Sequence, residues 1–561
     1  MQANLKTYLP ALLCAGTPVI CFLIVRPYAE IGVDDEWSYI KSAQVLAQTG
    51  HIVYNGFATT MLGWQLYFGA LFIKLFGFSF AAVRLSALIE AVATAFLLER
   101  TLVRAGINEW NATLATLTFV LSPVYLPLTV TFMTDVSGVL CIVLCLYMCL
   151  RALEAESRRS AILWICLAVL VNAVGGTARQ IVWLGVLVMV PSTLWLLRRD
   201  RRVLVTGSLA CIAGIGFVFA AMHWFARQPF SIPESLVPSN ISLQSVNNVG
   251  HVVSGYCRSF VGWLIPVLLM FVGALWNRSR RMVAVIAAAS LCYGLLIVAH
   301  QNEKSAAAYG AALDIASVGF YLLQAGATAM GFLSFVFCFP GRAQGRPILA
   351  PHQEDSSFSW QELCILLGPF TCAYMALLMP RTIQGLYFER YLLPLLTIGL
   401  LVLTRLYQER VRANLPVACA VLIVLVGAFS CPAIHDAFAL RRGYEAAIDE
   451  LRSSGVPTTA ILGPWEFDGW TEVEKVGYVN DPGIRIPEGA YVPAPARDIP
   501  PGCDPFGYMA WTPAIKPVYI VSKDPIRCGG PAGFPPVTYR TWLAPHNRSI
   551  YVVKLPVSFN D

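Results

Sequence analysis

Long apolar stretches alternate with short polar punctuation along most of this chain. A helix that crosses the hydrocarbon core of a bilayer needs about 20 predominantly apolar residues. Stretches of that kind predict spans near 8–25, 80–99, 110–128, 136–152, 160–177, 181–197, 203–224, 257–276, 282–299, 317–339, 360–379, 391–405 and 413–431. The run 60–77 is also apolar but is interrupted by Gly63, Gly69, Lys74 and Gly77, and it reads as a membrane-surface or re-entrant helix. Beyond Pro432 the long runs stop, and about half of the chain's 35 prolines fall there. In that region AFALRRGYEAAIDELRSSG (437–455) reads as a helix ending at Gly455, and TTAILGP, PVYIVSK and SIYVVKLPV read as short strands. The pattern predicts an all-α polytopic membrane domain of about thirteen transmembrane helices. It covers residues 1–431 and is followed by a small extracytoplasmic α/β domain, 432–561.

Composition agrees. Of 561 residues 57% are hydrophobic and 13% are charged, where a soluble protein carries about 25% charged residues. The net charge of +7 does not point to nucleic acid, because the basic residues sit in short clusters between apolar runs. Loops of one parity hold Arg100 and Arg104; Arg151, Arg158 and Arg159; Arg198 to Arg202; Arg278 to Arg281; Arg342 and Arg346; and Arg405, Arg410 and Arg412. The positive-inside rule makes these loops cytoplasmic, with the N-terminus inside and the C-terminus outside. No small-x-small cleavage site follows the first apolar run, so it reads as an uncleaved first span. Most of the 16 cysteines lie in apolar segments, and Cys141, Cys145 and Cys149 share one helix face as small apolar residues. Cys503 and Cys528 could pair outside the membrane. There is no CxxC, HExxH or Walker loop, and the seven histidines are scattered, so no His-built metal site is expected.

The loops of the other parity collect the unusual charges. VDDEWSYIKSAQVLAQTG (33–50) sets Asp34, Asp35 and Glu36 in front of a short helix expected at the membrane surface. Its apolar face would be Trp37, Ile40, Ala43 and Ala47. Asp135 starts the fourth span, Arg179 lies in a tight loop, and MPRTIQGLYFERYLLP holds Arg381, Glu389, Arg390 and Tyr391. His300, Glu303 and Lys304 form a further outward group. Each has an ordinary reading: the acids as helix caps, Arg179 as an interfacial snorkel, Glu389 and Arg390 as a local ion pair. Together, acids and arginines at one membrane face are the layout of a polar site for an anionic substrate. A carboxylate can deprotonate a hydroxyl, and arginines can hold a phosphate and stabilise a leaving group.

The chain resembles the multi-spanning GT-C glycosyltransferases, the superfamily of protein O-mannosyltransferases, aminoarabinose transferases and lipopolysaccharide-core transferases. The resemblance covers roughly residues 8–430. It rests on Asp35-Glu36-Trp37-Ser38-Tyr39 as DE-x-x-Y, on GWQLYFGALFIKLFGFSFAAVRLSALIEA, on LSPVYLPLTVTFMTD and on ERYLLP. It implies inverting transfer of a sugar from a polyprenyl-phosphate donor to a lipid, polysaccharide or protein hydroxyl at the extracytoplasmic face of a bacterial plasma membrane. It places the essential acid on Asp35, with Asp34 a competing neighbour and Glu36 beside it, and the second acid on Asp135. Arg390 and Tyr391 match the late RY-x-LP pattern and would bind donor phosphate, with Tyr39, Arg381 and Glu389 also lining the site. Arg179 is a phosphate candidate from topology alone. The Lys-Pro-Pro stretch of the aminoarabinose branch is replaced here by FATTMLGWQL, so that branch's donor contacts do not carry over. A divalent cation, Mg²⁺ or Mn²⁺, is compatible with two outward acids. A lipid-linked-sugar transporter or flippase is the main alternative. It should show internal repeats and midplane polar residues, which this sequence lacks. A polysaccharide polymerase or ligase should have a large His- and Arg-rich outward loop, and 225–256 is not one.

Overall fold

The computed structural model describes residues 5–57, 61, 63–233, 243–309, 313, 315–338, 358–385, 387–493, 509–523, 529–543 and 547–555. The first half runs α1 (Leu5–Val25), α2 (Glu36–Thr49), α3 (Gly63–Phe76), α4 (Phe80–Arg104), α5 (Glu109–Val120), α6 (Thr134–Leu153), α7 (Arg158–Gly175), α8 (Val190–Leu196) and α9 (Arg201–Phe225). The second continues α10 (Leu243–Trp263), α11 (Ile265–Leu268), α12 (Met270–Arg278), α13 (Arg280–Tyr309), α14 (Ile315–Cys338), α15 (Trp360–Ile383), α16 (Leu393–Arg410), α17 (Val417–Ser453) and α18 (Trp465–Val476). Among the described residues 10 helices are long and apolar enough to cross a membrane, and the bent pair across 248–278 makes up to 11.

The two remaining predicted spans are short. In 110–128 the helix α5 stops at Val120 after 12 residues, about 18 Å at 1.5 Å per residue. Pro123 and Pro127 follow, and proline breaks the helical hydrogen-bond ladder, so a turn and a 3₁₀ segment (Leu126–Val130) replace it. In 181–197 a 3₁₀ turn, a π turn and the 7-residue α8 follow one another. Connectivity still carries both segments from one end of the bundle to the other. Arg84, near the start of α4, and the Phe132 N–H, just before α6, both bond to Glu36, so both helices start at the same end. Arg158 at the start of α7 pairs with Asp200 at the start of α9 at 2.6 Å, so those two start together as well. Several of the basic residues gather at this second end, where Arg104 also pairs with Glu154 and Arg405 donates to the Ala105 carbonyl at 3.0 Å.

The predicted span 413–431 and helix 437–455 are one helix. α17 has 37 residues, about 55 Å of helix, and runs through Pro432, so no break in structure marks residue 431. Its last turns leave the apolar layer and carry the C-terminal sheet: Tyr444, Ala447, Ile448 and Leu451 pack on Ile461, Val521, Ile550 and Val552. The strands are β1 (Ile461–Leu462), β2 (Tyr519–Ser522), β3 (Gly530–Pro531), β4 (Val537–Arg540) and β5 (Asn547–Lys554). Their order is β1-β2-β5-β3, with β4 also paired to β5. β1 and β2 are parallel and the other pairs antiparallel. All three strands expected from the sequence are there. Cys503 and Cys528 lie outside the described residues.

α2 is not a surface helix. Trp37, Ile40 and Ala43 are all fully buried. Trp37 meets the rings of Phe57 and Trp465 at 5.2 and 5.7 Å. Gly469 on α18 makes this possible, since a Cβ there would stand 2.5 Å from the indole. A large aromatic surface is better removed from water by packing than left at an interface, so α18 closes over α2.

Candidate active site

Each charged residue that the sequence singled out, except the α13 group, lies at the end of the bundle opposite the basic clusters. The loop 26–36 is shaped first. Arg84, fully buried on α4, donates to the carbonyls of Pro27 (2.8 Å), Ala29 (2.7 Å) and Ile31 (3.1 Å) and pairs with Glu36 at 2.6 Å. Glu36 also accepts from the N–H groups of Val33 and Phe132, each at 2.8 Å. Both of its oxygens are thus occupied in a closed pocket. The structure therefore places the sequence-predicted Glu36 in the staple that holds the loop and not among the charges that meet Arg390. The staple forces Asp34 into the left-handed region (φ 53°), which aspartate tolerates better than most residues. Asp35 then stands at the mouth of α2 and makes no side-chain cap bond to that helix, so the capping explanation of this acid fails.

Three elements converge on Asp35. Arg390 sits in a 3₁₀ turn (Glu389–Leu392) that opens α16, and its Nη2 donates to Asp35 Oδ2 at 3.1 Å. Its Nη1 is 3.9 Å from Asp34 Oδ2, and its Nε is 3.6 Å from Asp135 Oδ2. Asp135, almost fully buried in the first turn of α6, lies 2.9 Å from Arg179 Nη2, and α6 has no side-chain cap. These are charge contacts without aligned hydrogen bonds: neither Asp135 oxygen has a hydrogen-bond partner among the described residues. Arg179 donates to Thr134 Oγ1 at 3.0 Å, and its stem passes Gly138, where a Cβ would stand 2.9 Å from Arg179 Cδ. Tyr391 joins the arginines. Arg381 Nη1 donates to its hydroxyl at 2.9 Å, and the Arg381 and Arg179 guanidinium groups lie 4.6 and 5.0 Å from its ring centre.

The cluster therefore unites Asp34, Asp35, Asp135, Arg179, Arg381, Arg390 and Tyr391, with Tyr39 buried beside it on α2. It leaves out Glu389, which accepts from Ser259 Oγ (2.7 Å) and the Tyr387 hydroxyl (3.1 Å) while Arg390 turns to Asp35. It also leaves out His300, Glu303 and Lys304, which ride on α13 with no bond to the cluster among the described residues. Sequence reasoning missed Arg84, Phe388, whose ring lies 5.0 Å from the Arg390 guanidinium, and Tyr374, which fixes the turn through the Tyr391 carbonyl at 2.5 Å. An arginine inside an otherwise apolar span was the available signal for Arg84.

Burial sets the electrostatics of Asp35. Desolvation raises its carboxyl above the usual aspartate value, Arg390 opposes the rise, and Asp34 and Asp135 add to it. Burial also raises the Tyr39 phenol, with Asp35 adding to it, so Tyr39 stays protonated as a donor. The arrangement does not fit a divalent cation. Asp35 and Asp135 each face an arginine, and no group of three His, Cys, Asp or Glu side chains among the described residues could hold a metal ion.

The model of the dolichyl-phosphate-mannose-protein mannosyltransferase family matches residues 64–225. No curated protein matches the chain. Among solved structures, ArnT from Cupriavidus metallidurans in the apo state is similar at 12% identity over 75% of this chain and 77% of that one, with a TM-score of 0.36. The same protein bound to undecaprenyl phosphate is similar at 11% identity over 81% and 82%, TM-score 0.39. The arabinosyltransferase EmbB from Mycobacterium smegmatis is similar at 17% identity over 77% of this chain and 41% of its own, TM-score 0.33. The family match, whose segment carries Asp135 and Arg179, bears out the resemblance of this chain to the GT-C membrane glycosyltransferases.

Proposed function

We propose that the chain is an inverting glycosyltransferase that moves a sugar from a polyprenyl-phosphate donor to an acceptor hydroxyl at the extracytoplasmic face of the plasma membrane. The observation that carries this reading is Asp35: a carboxylate of raised pKa paired with Arg390, with Arg179 and Arg381 gathered on the ring of the adjoining Tyr391. In the reaction the acceptor oxygen attacks the anomeric carbon and the bond from that carbon to the phosphate oxygen breaks. Configuration inverts in the single displacement. The acceptor proton passes to Asp35. The leaving polyprenyl phosphate takes the bonding electrons, and Arg390, Arg179 and Arg381 stabilise its charge. Phosphate is already a good leaving group, so no general acid is needed. Asp135 offers two unsatisfied acceptor oxygens and orients the incoming hydroxyl. Arg390 bonds Asp35 in the structure; as donor phosphate draws Arg390 toward itself, Asp35 becomes free to take the proton.

The extracytoplasmic placement is supported by the positive-inside rule, since the basic residues Arg104, Arg158 and Arg405 lie toward the other end. The test is to incubate the purified protein with a panel of polyprenyl-phosphate sugars and to measure sugar release or transfer, beside Asp35→Asn. Turnover lost in the variant supports the reading and names the donor. Lipid movement across a vesicle bilayer, equal in both proteins and with no donor consumed, would replace it with transport.

A further inference from the structure

Near the middle of α4, a helix long and apolar enough to cross a membrane, stands Glu90, 3% exposed. It departs from the expectation that the spans hold no midplane polar residue. An acid at this depth is costly and is retained where it has a task. No charged neighbour compensates it. Its Oε2 accepts from the Ser137 hydroxyl on α6 at 2.5 Å, and its Oε1 has no hydrogen-bond partner among the described residues. One hydroxyl bond recovers only part of what it costs to bury a carboxyl group. Apolar side chains at both positions would join α4 to α6 at no greater cost, so stability does not explain the acid.

Ser137 lies two residues beyond Asp135, about 200° around α6. Asp135 therefore faces Arg390 and Arg179 while Ser137 faces α4. Asp135 has no aligned hydrogen bond among the described residues and α6 has no side-chain cap, so the carboxylate sits where its helical turn puts it. That turn is tied to α4 at two points. Ahead of it, the Phe132 N–H reaches Glu36, which Arg84 on α4 holds. Behind it, Ser137 reaches Glu90. Glu90 lies six residues beyond Arg84 and Ser137 five beyond Phe132, so the two ties run in step along helices that start at the same end. Two such ties oppose both sliding and rotation of the turn. Thr134, which accepts from Arg179 at 3.0 Å, and Gly138, which lets the Arg179 stem pass, belong to the same stretch.

We propose that Glu90 is a positioning residue: through Ser137 it fixes the turn of α6 that presents Asp135 to the incoming hydroxyl. The task of that turn rests on the transferase reading; the bond that holds it does not. Glu90 touches no substrate and acts only through the placement of Asp135. Its loss is therefore felt in the chemical step and not in the capture of donor phosphate by Arg390 and Arg381. A reacting group misplaced by about 1 Å costs on the order of 10²-fold in rate.

The test compares variants of the purified full-length protein. Glu90→Leu removes the acceptor, Ser137→Ala removes the donor, and Glu90→Gln keeps an acceptor oxygen. Each is read by turnover of a polyprenyl-phosphate sugar and by hydrogen exchange of the amides at 133–138. Glu90→Leu and Ser137→Ala should each lower kcat by about 10- to 100-fold, with the KM for donor near its wild-type value, and should speed exchange of that turn. The double variant should be no slower than the worse single one, since both changes remove one bond. Glu90→Gln should keep kcat and exchange near wild type. Unchanged kcat in Glu90→Leu and Ser137→Ala overturns the proposal, whether or not exchange is faster. Glu90→Gln as impaired as Glu90→Leu overturns it too, as does a donor KM that rises while kcat falls. Should Glu90→Leu not fold, Ser137→Ala, which deletes a single oxygen, carries the test. If the wild type consumes no donor, the transferase reading falls by itself, and unchanged exchange at 133–138 in Ser137→Ala would remove the hold of Glu90 on the turn as well.

Discussion

Asp35 and Glu36 are adjacent in the chain, and each faces an arginine, yet they belong to different regions of the molecule. The Glu36–Arg84 region is closed. Both side chains are fully buried, and the pair is completed by three carbonyls and two N–H groups. The Asp35–Arg390 region is open: the Asp35 side chain is 32% exposed and makes one bond at 3.1 Å, while Asp135 beside it lacks an aligned partner. A buried ion pair with every donor and acceptor used is a structural device, stabilising mainly because either half alone would be ruinous. A carboxylate with spare capacity and a raised pKa is held ready for something that arrives. The type of charge is the same in both regions; satisfaction decides the role.

Four substitutions or conditions would sharpen or break that contrast. The largest effect on function is expected for Asp35→Asn, where loss of a general base should lower turnover by about 10²–10⁴-fold with no fall in thermal stability. Near-normal turnover would return Asp35 to a structural role. Arg84→Met should do the reverse. Stranding Glu36 as an uncompensated buried charge costs about 3–5 kcal/mol, so the yield of folded protein and its Tm should drop, and donor cannot rescue them. Equal melting temperatures for wild type and Arg84→Met would show that the closed pair does not hold the loop. Next in size is Arg390→Lys, which keeps the charge but loses the guanidinium fork. The KM for donor should rise by about tenfold, in line with the loss of a charge-assisted bond of ~1.5 kcal/mol, and kcat should fall less.

The smallest effect concerns pH. Asp35 must be ionised to act, so the rate should rise with pH through its raised pKa, above the ordinary aspartate value of about 3.9. Asp34 contributes to that rise, so Asp34→Asn should move the acid limb to lower pH and leave the plateau rate nearly unchanged. A plateau that collapses would make Asp34 the base. The same shift has a stability sign. Between the ordinary and the raised value, folded Asp35 keeps a proton that the unfolded chain has lost, so ionisation at higher pH costs stability. The open site is thus paid for by the rest of the fold.

Among the described residues, the periodicity and charge of the sequence located each helix long and apolar enough to cross a membrane and all three expected strands. They also located the end at which the acids and arginines meet, because these depend on local composition: apolar length, proline and loop charge. Alternation of basic and acidic loops agrees with the ends at which α4, α6, α7 and α9 start, even where α5 and α8 fall short of a full crossing. Length did not survive at Pro123 and Pro127, where backbone chemistry overrode hydropathy, and the join of 413–431 to 437–455 in α17 was hidden because Pro432 looked like a stop. The site was legible as a set of residues but not as a set of roles. Asp35 and Glu36 share one motif, and only the position of Arg84, 48 residues away, took Glu36 into the closed pair. Arg390 could have paired with Glu389 beside it but reaches Asp35 across 355 residues. Sequence fixes which charges reach the membrane face, because moving them into lipid is too costly. Tertiary packing alone decides which charge meets which, because ion pairing depends on distances of a few ångströms between segments that are remote in the chain.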